Sequence, residues 1–181
     1  MDELLSERIC SRLTPEALAP VLSNGILVLQ LPAAQWQGAV RTLRDEFGFD
    51  MLLDVTAVDW TPQTPRFEVV LHLYSTLDLV RVRLKTRVDG ANPVVASLVG
   101  LYGAAGFMER ECHDMFGIVF SGNGDLRPIL LYEGFVGHPL RKDYPKRHEQ
   151  PLVQYRTPDA VGSAKGPMPL VASGPVDKAA P

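Results

Sequence analysis

Residues 109–117, ERECHDMFG, bring six ionisable side chains together in consecutive positions. On a helix, Glu109 and His113 would lie one turn apart, as would Arg110 and Asp114. Carboxylates beside a histidine can perform general acid–base chemistry or bind a metal ion. A structural helix whose charges pair with other basic groups produces the same pattern. We favour this second interpretation, because ion-pair networks imitate active sites.

A second polar cluster follows at residues 134–145, GFVGHPLRKDYP. Pro139 and Pro145 exclude a long helix or a central strand here. His138 or Arg141 could bind an anion, but a charged irregular segment is better explained as recognition structure. Its cations would then pair with acids on this chain or on a partner. The candidate acids on this chain are Glu109, Glu111 and Asp114.

Hydrophobic periodicity predicts the elements that position the two clusters. Helices are predicted at residues 3–13, 32–47, 93–102 and 107–115, and strands at residues 26–31, 51–57, 67–74 and 80–88. In the last strand, four basic residues alternate with apolar ones or threonine, which is typical of one buried and one solvated face. Glycines stop two of the helices, at Gly48 and Gly117.

These elements predict an α+β fold. It contains a sheet of about four mostly antiparallel strands, with helices packed on one face, followed by an extended irregular C-terminal arm. We divide the chain into a head domain at residues 1–120, a partner-binding arm at 121–156 and a tail at 157–181. The tail is rich in proline, glycine and alanine and lacks aromatic residues, so we expect it to be disordered or draped over a partner.

Composition narrows the classes of function. The chain has 181 residues, a net charge of −3 and two cysteines. Two thiolates are too few for an iron–sulfur cluster bound by this chain alone. The negative charge argues against nucleic-acid binding through the basic residues at 81–87. The N-terminus does not resemble a signal peptide, and no apolar stretch is long enough to span a bilayer.

Three motifs, ERECHDMFGI at 109–118, GDLRPIL at 124–130 and GFVGHPLRKDYP at 134–145, resemble in order and spacing the signature of a known family. This is the 30-kilodalton-subunit family of respiratory complex I, whose members are the C subunits of NADH–quinone oxidoreductases. Segments 52–60, 66–75 and 80–88 also resemble the family's sheet region. The resemblance covers roughly residues 48–156.

The resemblance implies a non-catalytic structural and assembly subunit of a proton-translocating NADH–quinone oxidoreductase. It implies that FMN and the iron–sulfur clusters lie on other subunits, and that this chain binds none of them. The expected partners are chiefly the D subunit, and also the B and I subunits, at the cytoplasmic side of the bacterial inner membrane. The arm would lie on the D subunit, and the helix at 109–116 would hold its base.

The expected interface residues come from the first and third motifs. They are Glu109, Arg110, Glu111, Asp114, Phe116, Gly117, Gly137, His138, Pro139, Leu140, Arg141, Lys142, Asp143 and Tyr144. One alternative is the equivalent subunit of a membrane-bound hydrogenase, or of a ferredoxin- or F420-dependent relative. A more distant alternative is a hydrolase or metal enzyme that uses Glu109, Glu111, His113 and His138.

Overall fold

A computed structural model describes residues 3–13, 18–132 and 134–147 of the chain. The helices are α1 (Glu3–Leu13), α2 (Trp36–Phe47) and α3 (Ala105–Phe116). The strands are β1 (Leu18–Ser23), β2 (Ile26–Gln30), β3 (Met51–Asp59), β4 (Phe67–Ser75), β5 (Val80–Val88), β6 (Val94–Ala96) and β7 (Val119–Ser121). The predicted tail and residues 148–156 of the predicted arm lie outside the described residues.

A five-stranded sheet in the order β1-β2-β5-β4-β3 forms the centre of the fold. Only the central β2–β5 pair is parallel, so the predicted α+β class and mostly antiparallel pairing are confirmed. The strand beyond the predicted four is β1. It contains Pro20 and lies at the sheet edge, where a missing backbone donor is tolerated.

One face of the sheet carries the core. Phe67, Val69, Leu71 and Leu73 of β4 are fully buried, in a single cluster with apolar residues of α1, α2 and α3. All three helices therefore pack on this face, as predicted. The opposite face, which we call the open face, carries the alternate residues of the strands, including the basic residues of β5.

The predicted helix at 93–102 is wrong. Val94–Ala96 forms β6, which pairs in parallel with β7, with Val95 opposite Phe120. The Pro93 carbonyl accepts a 2.8 Å hydrogen bond from the Val119 backbone N–H. Asn92 followed by Pro93 is a pair that favours the start of a helix. Pairing with a strand some 25 residues away outweighs that local preference, because β-branched valines suit a half-buried strand.

Gly48 and Gly117 end α2 and α3 as predicted. Both adopt left-handed backbone conformations, with φ angles of 65° and 72°, which glycine adopts without steric cost. Because α3 ends at Gly117, residues of the second polar cluster can contact the C-terminal end of the helix.

Candidate functional site

Glu109, on the first cluster, is fully buried inside the protein. Its carboxylate accepts hydrogen bonds from the Leu98 backbone N–H at 2.6 Å, the Ser97 hydroxyl at 2.7 Å and the Asn123 amide at 2.9 Å. Burial raises the pKa of Glu109, and these three donors oppose that shift. Glu109 therefore fastens the turns after β6 and β7 to α3, and it is not presented to a partner.

Asp114 fastens the chain after β7 in the same way. One of its carboxylate oxygens accepts hydrogen bonds from three successive backbone N–H groups, those of Ile129, Leu130 and Leu131, at 2.8, 2.9 and 3.2 Å. Burial raises the pKa of Asp114. The three hydrogen bonds together lower the pKa by more than burial raises it, so the net shift is downward. The Asp114 side chain on α3 thus holds the end of the second motif through that motif's backbone N–H groups.

The helical ion pairs suggested by sequence spacing do not form. Arg110 donates hydrogen bonds to the carbonyls of Arg127 and Pro128, both at 2.8 Å, instead of contacting Asp114. Nδ1 of His113 lies 3.0 Å from the Ile118 carbonyl and not beside Glu109. The chain that follows α3 supplies partners that spacing on one helix cannot reveal.

Glu111 differs from its neighbours in the cluster. It is exposed, and no hydrogen bond or ion pair to its carboxylate is seen within residues 3–13, 18–132 and 134–147. It is the member of the first cluster that a partner could contact directly.

The segment at 138–141 covers the C-terminal end of α3. Nδ1 of His138 donates to the Asp114 carbonyl at 2.9 Å, since a carbonyl can only accept. The Leu140 N–H donates to the Met115 carbonyl at 3.1 Å, and Nε of Arg141 donates to the Phe116 carbonyl at 2.6 Å. Helix-terminal carbonyls lack partners within their own helix, and cations are favoured near them. We call these three hydrogen bonds the α3 cap.

Two glycines make room for close packing of the third motif, one at the α3 cap and one at the Tyr144 ring. A Cβ atom on Gly117 would lie 2.5 Å from Nε2 of His138 and closer still to Nη2 of Arg141. A Cβ atom on Gly137, whose φ is 94°, would lie 2.8 Å from the Tyr144 ring. Gly117 and Gly137 therefore serve contacts within this chain.

A second attachment, which we call the clamp, joins the segment to the sheet. Arg66 contacts Asp59 and Asp143 at once, each through an Nη2 to carboxylate distance of 2.7 Å. The Lys142 backbone N–H also donates to Asp59 at 2.8 Å. The hydrogen bonds from Arg66 hold the pKa of Asp59 well below its usual range, and burial opposes that shift.

The fully buried Phe67 ring connects the clamp to the α3 cap. The guanidinium carbon of Arg66 lies 4.8 Å from the ring centroid, and that of Arg141 lies 5.3 Å from it. Burial and the nearby Arg66 charge lower the pKa of Arg141. Cations stacked on an aromatic ring are stabilised by its quadrupole, which offsets part of this repulsion.

Arg141 and Lys142 form no ion pair with Glu109, Glu111 or Asp114 in the described part of the chain, so the expected pairing with these acids is not seen there. Asp59 instead pairs with Arg66, which lies outside the segment, and accepts a hydrogen bond from the Lys142 backbone N–H. The sequence patterns assigned no function to Asp59 or Arg66. One feature of the sequence could have pointed to Asp59 and Arg66: they lie at the two ends of the proline-containing loop between β3 and β4.

The expected interface residues divide by exposure. Those buried in the fold are Glu109, Asp114 and Phe116; those partly buried are Arg110, Gly117, His138, Pro139, Arg141 and Tyr144; and those exposed are Glu111, Gly137, Leu140, Lys142 and Asp143. The exposed set is the part of the predicted interface that a partner could reach directly.

Two properties of the described residues concern other classes of function. No group of three or more histidine, cysteine, aspartate or glutamate side chains within this part of the chain is arranged to hold a metal ion. None of the helices in the same part is long and apolar enough to cross a membrane.

Fold and site together define a class: an α+β protein whose charged C-terminal segment is fastened to the end of α3. The model of the family described as respiratory-chain NADH dehydrogenase, 30 Kd subunit, matches residues 29–150, and the chain belongs to this family. The resemblance inferred from the three motifs is thereby confirmed.

One relative is the NADH-quinone oxidoreductase C subunit of Methylobacterium radiotolerans, which is 39% identical over 143 residues. The match covers 78% of this chain and 66% of that protein, so the chain spans about two thirds of its length.

Two solved structures share the fold. A trypsin-resistant fragment of Nqo5 is 29% identical with a TM-score of 0.61, covering 67% of this chain and 99% of the fragment. A chain of the membrane-bound sulfane sulfur reductase, an archaeal respiratory membrane complex, is 30% identical with a TM-score of 0.70. That match covers 80% of this chain and 86% of the other.

Proposed function

We propose that this chain is a structural and assembly subunit of a proton-translocating NADH–quinone oxidoreductase. That complex passes electrons from NADH through FMN and iron–sulfur centres to a quinone and couples the transfer to proton translocation. The observation that carries the proposal is the family match over residues 29–150, which includes both the α3 cap and the clamp. The fastened segment gives a rigid, charged surface of the kind an assembly subunit offers to neighbouring chains.

The chain itself contributes no redox group in this proposal. It has two cysteines, of which Cys112 is buried and donates its S–H to the Val55 carbonyl at 3.2 Å. Burial raises the pKa of Cys112, which opposes the thiolate form that cluster ligation needs. FMN and the iron–sulfur clusters would lie on other subunits.

The proposed partners are chiefly the D subunit, and also the B and I subunits, at the cytoplasmic side of the inner membrane. Membrane association would come through the complex. The exposed members of the predicted interface, Glu111, Leu140 and Lys142 among them, would contact the D subunit, while the buried members would position them.

The test is a pull-down from membranes solubilised in mild detergent, with a tag on the N-terminus so that the C-terminal segment stays free. The eluate is assayed for flavin, iron and NADH-dependent quinone reduction. Recovery of a large complex with all three is the expected result. Recovery of this chain alone would contradict the proposal and would reopen the enzyme alternatives.

A second candidate is the equivalent subunit of a related respiratory membrane complex that uses another electron donor. The observation in its favour is the similarity to the sulfane sulfur reductase chain, with its TM-score of 0.70. The same pull-down separates the candidates. A large complex that contains iron but no flavin and no NADH activity would favour the second.

A further inference from the structure

The open face of the sheet is a surface that the function above leaves unused. Arg81, Arg83, Lys85 and Arg87 point to it, because the alternate residues of β5 face the core. The register places Arg83 between Val28 of β2 and His72 of β4, on the same face. The helices pack on the opposite side, so the open face lies away from the α3 cap.

The basic side chains of the open face are only partly neutralised. Glu68, almost completely buried, pairs with Lys85 at 2.8 Å and with Arg87 at 3.3 Å. Arg81 and Arg83 have no carboxylate within ion-pair distance in the described part of the chain, and Arg81 lies over the Tyr74 ring.

The open face therefore has an excess of positive charge. The strand residues that point to it include four cations, against the carboxylates of Asp54 and Glu68. This excess of two positive charges lies on a chain whose net charge is −3. Such local asymmetry favours an acidic partner by charge complementarity.

A groove lies on this face between the β1–β2 hairpin and β5. Its volume is about 300 Å³, and its lining residues are Val21, Ser23, Val28, Gln30, Arg83 and Lys85. Nε of Arg83 is buried there and has no hydrogen-bond partner among the described residues. The groove places the apolar side chains of Val21 and Val28 beside the cationic groups of Arg83 and Lys85. Such a lining fits a ligand in which a carboxylate is flanked by aliphatic groups.

We propose that this groove, together with Arg81 and Arg83, binds an acidic segment of a partner protein. The surface is separate from the one formed by the first and third motifs. A nucleic acid is disfavoured, because phosphate backbones are bound by many free cations and two of the four here are already paired. Residues 148–181 of this chain carry three acids and three bases, so charge does not favour them as the occupant.

The test uses the full chain in its host membranes, with photoreactive benzoylphenylalanine replacing Val28 in the groove. The cross-linked peptide is identified by mass spectrometry. The expected product is a segment of another protein in which Asp and Glu outnumber Lys and Arg. The double variant R81Q/R83Q should lower the cross-link yield at least about fivefold, because it removes the steering charges.

A matched variant, R8Q/R41Q, removes the same charge from exposed positions on α1 and α2 and should leave the yield unchanged. As a test independent of mutation, salt at about 0.5 M should lower the wild-type yield, since exposed charges are then screened. A wild-type yield that does not respond to salt would contradict the proposal even if R81Q/R83Q fails to fold.

Three other outcomes would overturn the proposal: a cross-link to residues 148–181, a cross-link to lipid or nucleic acid, or no cross-link. Recovery of the complex in the pull-down without the acidic cross-link would overturn this inference alone. An acidic cross-link without recovery of the complex would overturn the proposed function alone.

Discussion

At the scale of single residues, two buried acids of the first cluster bind backbone N–H groups of this chain. Asp114 accepts three successive N–H groups, and Glu109 accepts one N–H together with two side-chain donors. Buried carboxylates are stable in a fold only when such donors compensate the lost water. Glu109 and Asp114 resemble catalytic acids in the sequence. In the structure they instead supply hydrogen-bond acceptors to backbone N–H groups that lie outside helices and strands.

Replacing Asp114 by Asn tests this role. The amide oxygen is a weaker acceptor than a carboxylate, so D114N should destabilise the fold by about 1–3 kcal/mol. Hydrogen exchange of the amides at Ile129, Leu130 and Leu131 should accelerate, as measured by mass spectrometry. The control E111Q changes an exposed carboxylate and should leave this exchange unaltered. Equal protection in D114N and wild type would contradict the assignment.

Asp59 predicts a specific dependence of stability on pH. Because its folded pKa lies below the unfolded value of about 3.9, its contribution is complete above that pH and is lost as pH falls below it. D59N should lose about 2–3 kcal/mol at pH 7, since a charge-assisted hydrogen bond is removed.

The measurement is urea unfolding across the acidic range. D59N should show a shallower loss of stability than wild type below about pH 4. The control is D54N, which alters an exposed carboxylate on the open face. If the free energy of unfolding of D59N fell as steeply with decreasing pH as that of wild type, groups other than Asp59 would govern acid unfolding.

At the scale of elements, the end of α3 organises the C-terminal segment. The carbonyls of Asp114, Met115 and Phe116 each receive a donor from residues 138–141. A helix that ended in solvent would offer these carbonyls to water. Here they orient an irregular segment that has no secondary structure of its own to hold it.

Gly117→Ala should disrupt this arrangement. The left-handed φ alone costs a non-glycine residue about 1–2 kcal/mol, and the new Cβ would also displace His138 and Arg141. Thermal unfolding should show the loss, and trypsin should cleave after Arg141 faster than in wild type.

Gly38→Ala is the matched control for that substitution. Gly38 lies inside α2 with nothing within 4 Å of an added Cβ. Alanine there should stabilise the protein by about 0.5–1 kcal/mol. If both substitutions had the same effect, the close approach at Gly117 would not matter.

At the scale of the whole molecule, the structure separates residues that hold the segment from residues that can face a partner. Arg141 belongs to the first group, because it donates to Phe116 and stacks on Phe67. Glu111 belongs to the second, because its carboxylate is exposed. Substitutions at the two positions should therefore have different consequences.

Both Glu111→Ala and Arg141→Ala should weaken association with the proposed partner. E111A should leave the melting temperature unchanged and weaken the affinity about two- to fivefold, the usual range for an exposed charge. R141A should also lower the melting temperature.

The measurement combines the N-terminal pull-down with thermal unfolding. Glu7→Ala, on the exposed side of α1, is the charge-matched control for E111A. Wild-type recovery of the complex by both E111A and R141A would show that the first and third motifs do not form the interface.

Much of the framework follows from local pattern. The alternation along Val80–Val88 predicted both the strand and its two faces, because neighbouring residues of a strand point to opposite sides. Glycine predicted the ends of α2 and α3, because a left-handed residue closes a helix. Three motifs predicted the family. These features depend on residues close together in the chain, so the sequence alone determined them.

Only the tertiary structure decided what the polar motifs contact. Asp59 meets Lys142 across 83 positions, and Arg66 meets Asp143 across 77. The α3 cap binds backbone carbonyls, which every residue possesses and which therefore leave no trace in the order of side chains. Val94–Ala96 became a strand for a related reason, since its partner lies far along the chain. Spacing in the sequence describes neighbours within one element, whereas these partners are neighbours only after the sheet and α3 have packed.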